Sequence, residues 1–115
     1  METVPFENAE EAFFWFMTAQ AAKNDGARCI GGCGKILRPC KPIDILKAID
    51  ALYRGKEIMM DHALVLRHYG RKLMAPDRYR DKERRAHMLW HEAMEKLEAV
   101  LQRKGIVAVP QGWGR

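Results

Sequence analysis

Apolar side chains recur at helical spacing through most of this chain. The strongest pattern lies between residues 81 and 104, where apolar positions repeat at three- and four-residue steps and form one stripe along about six turns. Shorter patterns of the same kind occupy residues 43–54 and 61–71, and an aromatic-rich one occupies residues 9–24. The pattern therefore predicts an all-α fold, a small bundle of about four helices.

Polar and glycine residues at the ends of these patterns predict where the helices begin and end. Asn8 precedes the first pattern and is followed three residues later by a glutamate, which is the spacing of a capping box. Asp61 and Asp81 are predicted to cap the third and fourth helices. Gly105 is predicted to end the last helix in a left-handed conformation, with Ile106 packing back on its final turn.

The inward faces of the four helices are expected to form the core. Helical spacing selects the residues that share a face. The predicted core consists of Phe13, Phe16, Ile45, Leu46, Ile49, Leu52, Leu64, Leu66, Leu89, Trp90, Ala93 and Leu97.

The first helix contains five consecutive large apolar residues at positions 13–17, and they point almost all the way round it. Such a helix is buried on several sides or lies in an interface. We favour burial in the core. A protein-partner or homodimer contact through this helix is the alternative.

The length of 115 residues favours one domain, predicted at residues 1–107, followed by a flexible tail at 108–115. No apolar run reaches the 18 or more residues of a membrane span, and the acidic N-terminus is unlike a signal peptide. The sequence thus indicates a protein without a membrane partner. Three cysteines without a signal peptide favour a reduced, cytoplasmic setting.

Residues 25–42 are rich in glycine and contain all three cysteines. The glycines allow a small hairpin near residues 27–37. Cys29, Cys33 and Cys40 follow a C-x3-C-x6-C spacing, which differs from the closely paired cysteines of most zinc sites and lacks a nearby fourth ligand. We expect reduced thiols without metal; a structural zinc site completed by a distant histidine is the alternative.

Motifs for catalysis are missing from the sequence. His87 and His91 are four residues apart, but Met88 replaces the glutamate of an HExxH zinc site. The glycine-rich stretch lacks the spacing of a phosphate-binding loop, and the chain has no serine. We therefore predict no enzyme activity, no cofactor, no metal site and no small-molecule substrate.

The net charge of +5 is concentrated in one segment. Residues 67–85 contain eight basic and three acidic side chains, whereas the other 96 residues carry twelve of each. A localised basic segment attracts the phosphates of nucleic acid. We predict DNA binding, with a protein-interaction adaptor as the alternative. The basic residues are Arg67, Arg71, Lys72, Arg78, Arg80, Lys82, Arg84 and Arg85.

Two helical stretches flank this segment, HALVLRHYGRK at 62–72 and ERRAHMLWHEAMEKLEAVL at 83–101. The first is similar to the support helix of sigma-factor region-4-like domains, and the second resembles the recognition helix of phage-type transcription regulators. The resemblance implies a helix-turn-helix-like C-terminal half in a small transcription regulator. It also implies that side chains on the first turns of the last helix lie near a DNA groove. The predicted DNA-binding residues are Arg71, Lys72, Arg78, Arg80, Arg84, Arg85, His87 and His91.

The whole chain also resembles a group of small, uncharacterised alphaproteobacterial proteins. Four stretches carry this resemblance: AFFWFM at 12–17, the pair RPC and DIL at 38–46, DHALVLRHYGR at 61–71, and KGIV at 104–107. The resemblance implies a bacterial, cytoplasmic origin and no particular activity.

Overall fold

A computed structural model describes residues 4–24, 38 and 40–109 of the chain. Within these residues the backbone forms four α-helices, and a short 3-10 helix precedes the last of them. Their bounds are α1 Ala9–Asn24, α2 Pro42–Arg54, α3 Met60–Lys72, the 3-10 helix Asp81–Glu83 and α4 Arg84–Arg103. The predicted all-α fold is confirmed.

Three sequence predictions fall outside the described part of the chain. They are the hairpin near 27–37, the state of Cys29 and Cys33, and most of the tail, residues 110–115. In the part that is described, β-structure is limited to one parallel bridge between Phe6 and Val107.

Side-chain acceptors are found at the starts of α1 and α2. The Asn8 side chain accepts the N–H of Glu11 at 2.8 Å, which confirms Asn8 as the cap of α1. The Glu11 carboxylate accepts the N–H of Glu7 at 2.7 Å and not that of the cap residue. At the start of α2, Asp44 accepts the N–H of Lys41 at 2.9 Å.

The predicted caps of α3 and α4 are wrong. α3 begins at Met60, two residues earlier than a cap at Asp61 allows, and His62 Nδ1 accepts the N–H of Met59 at 3.0 Å. Asp81 lies in the 3-10 helix, so α4 begins only at Arg84. Asp61 and Asp81 instead pair with arginines, because both carboxylates face basic side chains near the start of α4.

The C-terminus of α4 ends as predicted at Gly105, whose φ is +78°. The N–H of Ile106 donates to the carbonyl of Leu101 at 2.9 Å, and the N–H of Gly105 donates to that of Gln102 at 3.1 Å. This pair of bonds is the Schellman motif, which glycine permits by adopting the left-handed conformation. The motif turns the chain back so that Ile106 is buried.

The inward faces of the helices form a single core, with two exceptions to the prediction. Leu46 and Leu64 are 40% and 53% exposed. On α3 the buried positions are Leu66 and Gly70, one turn apart, and Leu64 lies on the opposite side of the helix. The buried residues include Phe6, Phe13, Phe16, Ile45, Leu52, Ile58, Leu66, Trp90, Leu97, Leu101, Ile106 and Val107.

Trp90 of α4 lies where three helices meet. Its ring centroid is 5.7 Å from that of Phe13 and 5.6 Å from that of Phe14, both on α1, and 6.4 Å from that of Tyr69 on α3. The indole N–H donates to Glu10 Oε1 at 2.8 Å. The aromatic residues of α1 therefore pack in or against the core, which is the interpretation favoured from the sequence.

We expect Gly70→Ala to destabilise the protein. A Cβ at Gly70 would lie 2.9 Å from Cε2 of Phe13 and 3.1 Å from Cγ of Met17, which forces α1 and α3 apart. Overpacking costs about 1–3 kcal/mol, whereas alanine in a helix gains about 1 kcal/mol over glycine. Urea denaturation should show a net loss in the free energy of unfolding of up to about 2 kcal/mol.

The control for this prediction is the same change in a Phe13→Leu background. Leucine lacks the ring atoms that approach Gly70 and leaves only the contact with the flexible Met17 side chain, so Gly70→Ala should cost less there than in the wild type. An equal loss in both backgrounds would contradict the steric explanation.

Candidate nucleic-acid interface

The segment between α3 and α4, residues 73–83, is called the connector below. α3 ends because Leu73 adopts a left-handed conformation with φ of +54°. The N–H groups of Leu73 and Met74 donate to the carbonyls of Gly70 and Tyr69 at 3.0 and 3.2 Å. A helix-turn-helix joins its helices through about three or four residues. The connector is longer than such a turn. The resemblance to a helix-turn-helix stays a prediction.

A hydrogen-bonded turn at residues 77–80 lies in the middle of the connector. The N–H of Arg80 donates to the carbonyl of Asp77 at 3.2 Å, and the N–H of Tyr79 donates to the Asp77 carboxylate at 2.9 Å. Aspartate is favoured at the first turn position because its side chain accepts in this way. Pro76, directly before the turn, is buried. The turn therefore presents Arg78 and Tyr79 at its two central positions.

Glu83 links this turn to α3. Its carboxylate accepts the N–H of Asp77 at 3.3 Å and lies 3.9 Å from Nε of Arg80. The pKa of Tyr69 is raised, mainly by burial. A hydrogen bond to Glu83 and the negative charge of Glu83 add to this effect. Tyr69 thus keeps its proton at neutral pH, and its hydroxyl remains a hydrogen-bond donor.

Three of the predicted DNA-binding cations are held by carboxylates. Arg80 lies 3.9 and 4.0 Å from two acids of the connector. Arg84 donates to Asp81 at 2.9 Å, and Arg85 donates to Asp61 of α3 at 2.7 Å. Exposed pairs of this kind are weak, but each must open before the arginine binds a phosphate. These three side chains are therefore less available than the sequence suggested.

Five other basic residues of the segment are exposed and have no carboxylate within 4.0 Å among the residues that the structure describes. Two of them lie over aromatic rings instead, Lys72 at 5.6 Å from the Tyr69 centroid and Arg78 at 4.8 Å from that of Tyr79. The uncompensated cations thus lie on the second half of α3 and in the connector. They are Arg67, Arg71, Lys72, Arg78 and Lys82.

A surface cleft of about 530 Å³ lies between the end of α3 and the 3-10 helix. Basic side chains from both elements line it, together with the Tyr69 phenol. An anion in the cleft would therefore meet three cations and a hydroxyl donor, opposed by two carboxylates. The lining residues are Tyr69, Lys72, Arg80, Asp81, Lys82 and Glu83.

The outward face of α4 changes sign after its second turn. His87 and His91 stack with ring centroids 6.4 Å apart, and His91 lies 3.5 Å from the carboxylate of Glu95. Glu92 is also at this level and binds His62 of α3 at 2.9 Å. Carboxylates repel phosphate, so a phosphate contact by α4 would be confined to its first two turns.

The DNA-binding residues predicted from the sequence omitted two of the five uncompensated cations. Arg67 and Lys82 belong to the basic segment but were not assigned to the site. Tyr79, between two arginines in the run Arg78-Tyr79-Arg80, was not singled out from the sequence either. Tyr79 lies at a central position of the turn at residues 77–80, and it is 79% exposed there.

Cys40 is the one cysteine in the described part of the chain, and its thiol is free. Burial, with a smaller effect of the Asp44 carboxylate, raises the pKa of Cys40 to about 11. The thiol is therefore protonated at neutral pH, which makes it a poor nucleophile. Within the residues described, no group of three or more His, Cys, Asp or Glu side chains is arranged to hold a metal.

Comparisons with protein-family models, curated proteins and solved structures found no match to this chain. The resemblances to regulators and to the alphaproteobacterial group stay predictions. None of the described helices is long and apolar enough to cross a membrane.

Proposed function

We propose that this protein binds DNA through phosphate contacts made by the end of α3 and the connector. The observation that supports this proposal is the set of five exposed cations, all within residues 67–82, that have no carboxylate partner among the described residues. Neighbouring acids offset them only in part, because Asp81 is paired with Arg84, and Asp77 and Glu83 share Arg80. A cluster of cations of this kind releases condensed counterions when it meets DNA, and this release drives binding.

Sequence preference would come from a second set of contacts. Arg84 and Arg85 lie on the first turn of α4, where the resemblance to regulators puts base-reading side chains. They would exchange their partners Asp81 and Asp61 for DNA. Replacing either one should relax sequence preference, whereas replacing Arg78 in the connector should weaken binding to all sequences alike.

The salt dependence of duplex binding tests the proposal. Each phosphate contact contributes about −0.9 to the slope of log K against log salt, so five contacts give a slope of about −4.5. Raising the salt from about 50 to about 200 mM should then weaken binding roughly 500-fold. Fluorescence anisotropy with a labelled random duplex measures this. No binding at the lower salt concentration would refute the proposal.

Two pairs of variants separate local from general charge effects. Arg71→Ala and Lys72→Ala should each flatten the slope by about 0.9. Their matched controls are Arg103→Ala at the end of α4 and Lys47→Ala on α2, which remove equally exposed basic side chains elsewhere. Equal slope changes for variants and controls would indicate attraction to the overall charge and would contradict an interface at the connector.

A further inference from the structure

Tyr79 has a larger exposed fraction than any other large apolar residue in the described part of the chain. Its side chain is 79% exposed, whereas the next, Met74, is 64% exposed. Both lie in the connector. An aromatic ring left in water contributes nothing to the core, although it is the kind of side chain that most often anchors a binding partner.

The turn holds the backbone that carries this ring in a defined position. The backbone of Tyr79 is bonded to the Asp77 carboxylate, and the N–H of Asp77 is bonded to Glu83. The turn follows the buried Pro76. A ring that is ordered before binding loses little conformational entropy when a partner stacks on it.

One face of the ring is covered by a cation. The Arg78 guanidinium lies 4.8 Å from the ring centroid, and its NH2 group donates to the Tyr79 hydroxyl at 2.6 Å. The high exposure of Tyr79 leaves the rest of the ring open to solvent. A flat, π-rich partner can stack there with the guanidinium behind the ring, as in proteins that bind single strands.

Basic residues that can bind phosphate neighbour Tyr79 in the chain. Arg80, the next residue, lines the cleft together with Lys72 and Lys82, although Asp81 and Glu83 also line it. Neither lysine has a carboxylate within 4.0 Å among the described residues. The two lysines can therefore bind the phosphates that adjoin a base stacked on Tyr79.

We infer that the connector binds single-stranded nucleic acid, with an unpaired base stacked on Tyr79 and adjoining phosphates in the cleft. This inference rests on the proposed function, because it uses the same cations. It goes further by naming the form of the ligand. Bases in a duplex are stacked on one another, so only an unpaired base has a free face for the ring.

Anisotropy with labelled oligothymidine of about 12 nucleotides, within the site sizes of single-strand binders, tests this inference. A mixed-sequence duplex of equal length and an oligouridine strand are measured in parallel at low salt. We expect either single strand to bind more tightly than the duplex. The two single strands differ in the sugar and in the thymine methyl group, and tighter binding of either one than of the duplex supports the inference.

Variants of Tyr79 give the decisive comparison. Tyr79→Ala should weaken single-strand binding about 5- to 150-fold and leave duplex binding within about twofold, because only the stacked base is lost. Tyr79→Trp should retain the preference. Tyr53→Ala, which removes an exposed ring on α2, is the control and should change neither affinity. Because Tyr79 is exposed, its replacement should leave the melting temperature unchanged.

Two outcomes would overturn the inference in different ways. Duplex binding as tight as single-strand binding, or an equal loss on both from Tyr79→Ala, would refute base stacking and leave the proposed function intact. If none of the three nucleic acids binds, both the inference and the proposed function are refuted.

Discussion

Trp90→Ala should lower the free energy of unfolding by about 3–5 kcal/mol. The indole is 3% exposed and contacts aromatic rings of α1 and α3. Its removal opens a cavity where three helices meet and also removes the N–H donor of Glu10. Urea denaturation followed by circular dichroism measures the loss without depending on tryptophan fluorescence.

Two further variants separate the causes. Met88→Ala changes a residue of the same helix that is 52% exposed and should cost less than about 0.5 kcal/mol. Trp90→Phe keeps an aromatic ring in the core and should cost clearly less than alanine, because it loses mainly the hydrogen bond to Glu10. If alanine and phenylalanine cost the same, packing of the indole is not the main contribution.

Phe6→Ala should also cost about 3–5 kcal/mol, although Phe6 lies before the first helix. The side chain is fully buried and its ring centroid is 5.1 Å from that of Trp15. The Arg38 guanidinium covers the ring at 4.3 Å from its centroid. Loss of the ring therefore opens the core on the side where the two ends of the described chain meet.

The backbone around Phe6 ties those ends together. Its N–H donates to the carbonyl of Ile106 at 3.0 Å, and its carbonyl accepts the N–H of Ala108 at 2.8 Å. Val4→Ala is the matched control, since Val4 is 51% exposed and should cost less than about 0.5 kcal/mol. Equal melting temperatures for Phe6→Ala and Val4→Ala would show that the N-terminal segment is not part of the cooperative core.

Part of the candidate site could be read from the sequence. The basic segment at residues 67–85 is a matter of composition, and its position between two helices follows from their periodicity. Arg80 and Arg84 pair with acids only three positions away, whereas Arg85 meets Asp61 across 24 positions of the chain. That contact depends on how α3 packs on α4. The same is true of the cleft, which forms only where the end of α3 approaches the 3-10 helix.

The sequence by itself determined the four helices. Helix formation depends on side chains three and four positions apart, so α1 to α4 begin and end within a few residues of their predicted bounds. Gly105 ended α4 as predicted for the same reason, because a left-handed glycine and its two hydrogen bonds are local features.

Only the tertiary structure decided which residues outside those patterns are buried. Phe6, Ile58 and Val107 lie in short segments without periodicity, yet each is at most 2% exposed. Leu64 was predicted to lie in the core but is exposed. The prediction was wrong because α3 carries apolar residues on more than one face. The close approach of Gly70 to Phe13 selects the inward face of α3 and leaves Leu64 in solvent. Such choices depend on contacts between segments distant in the chain, which local spacing cannot encode.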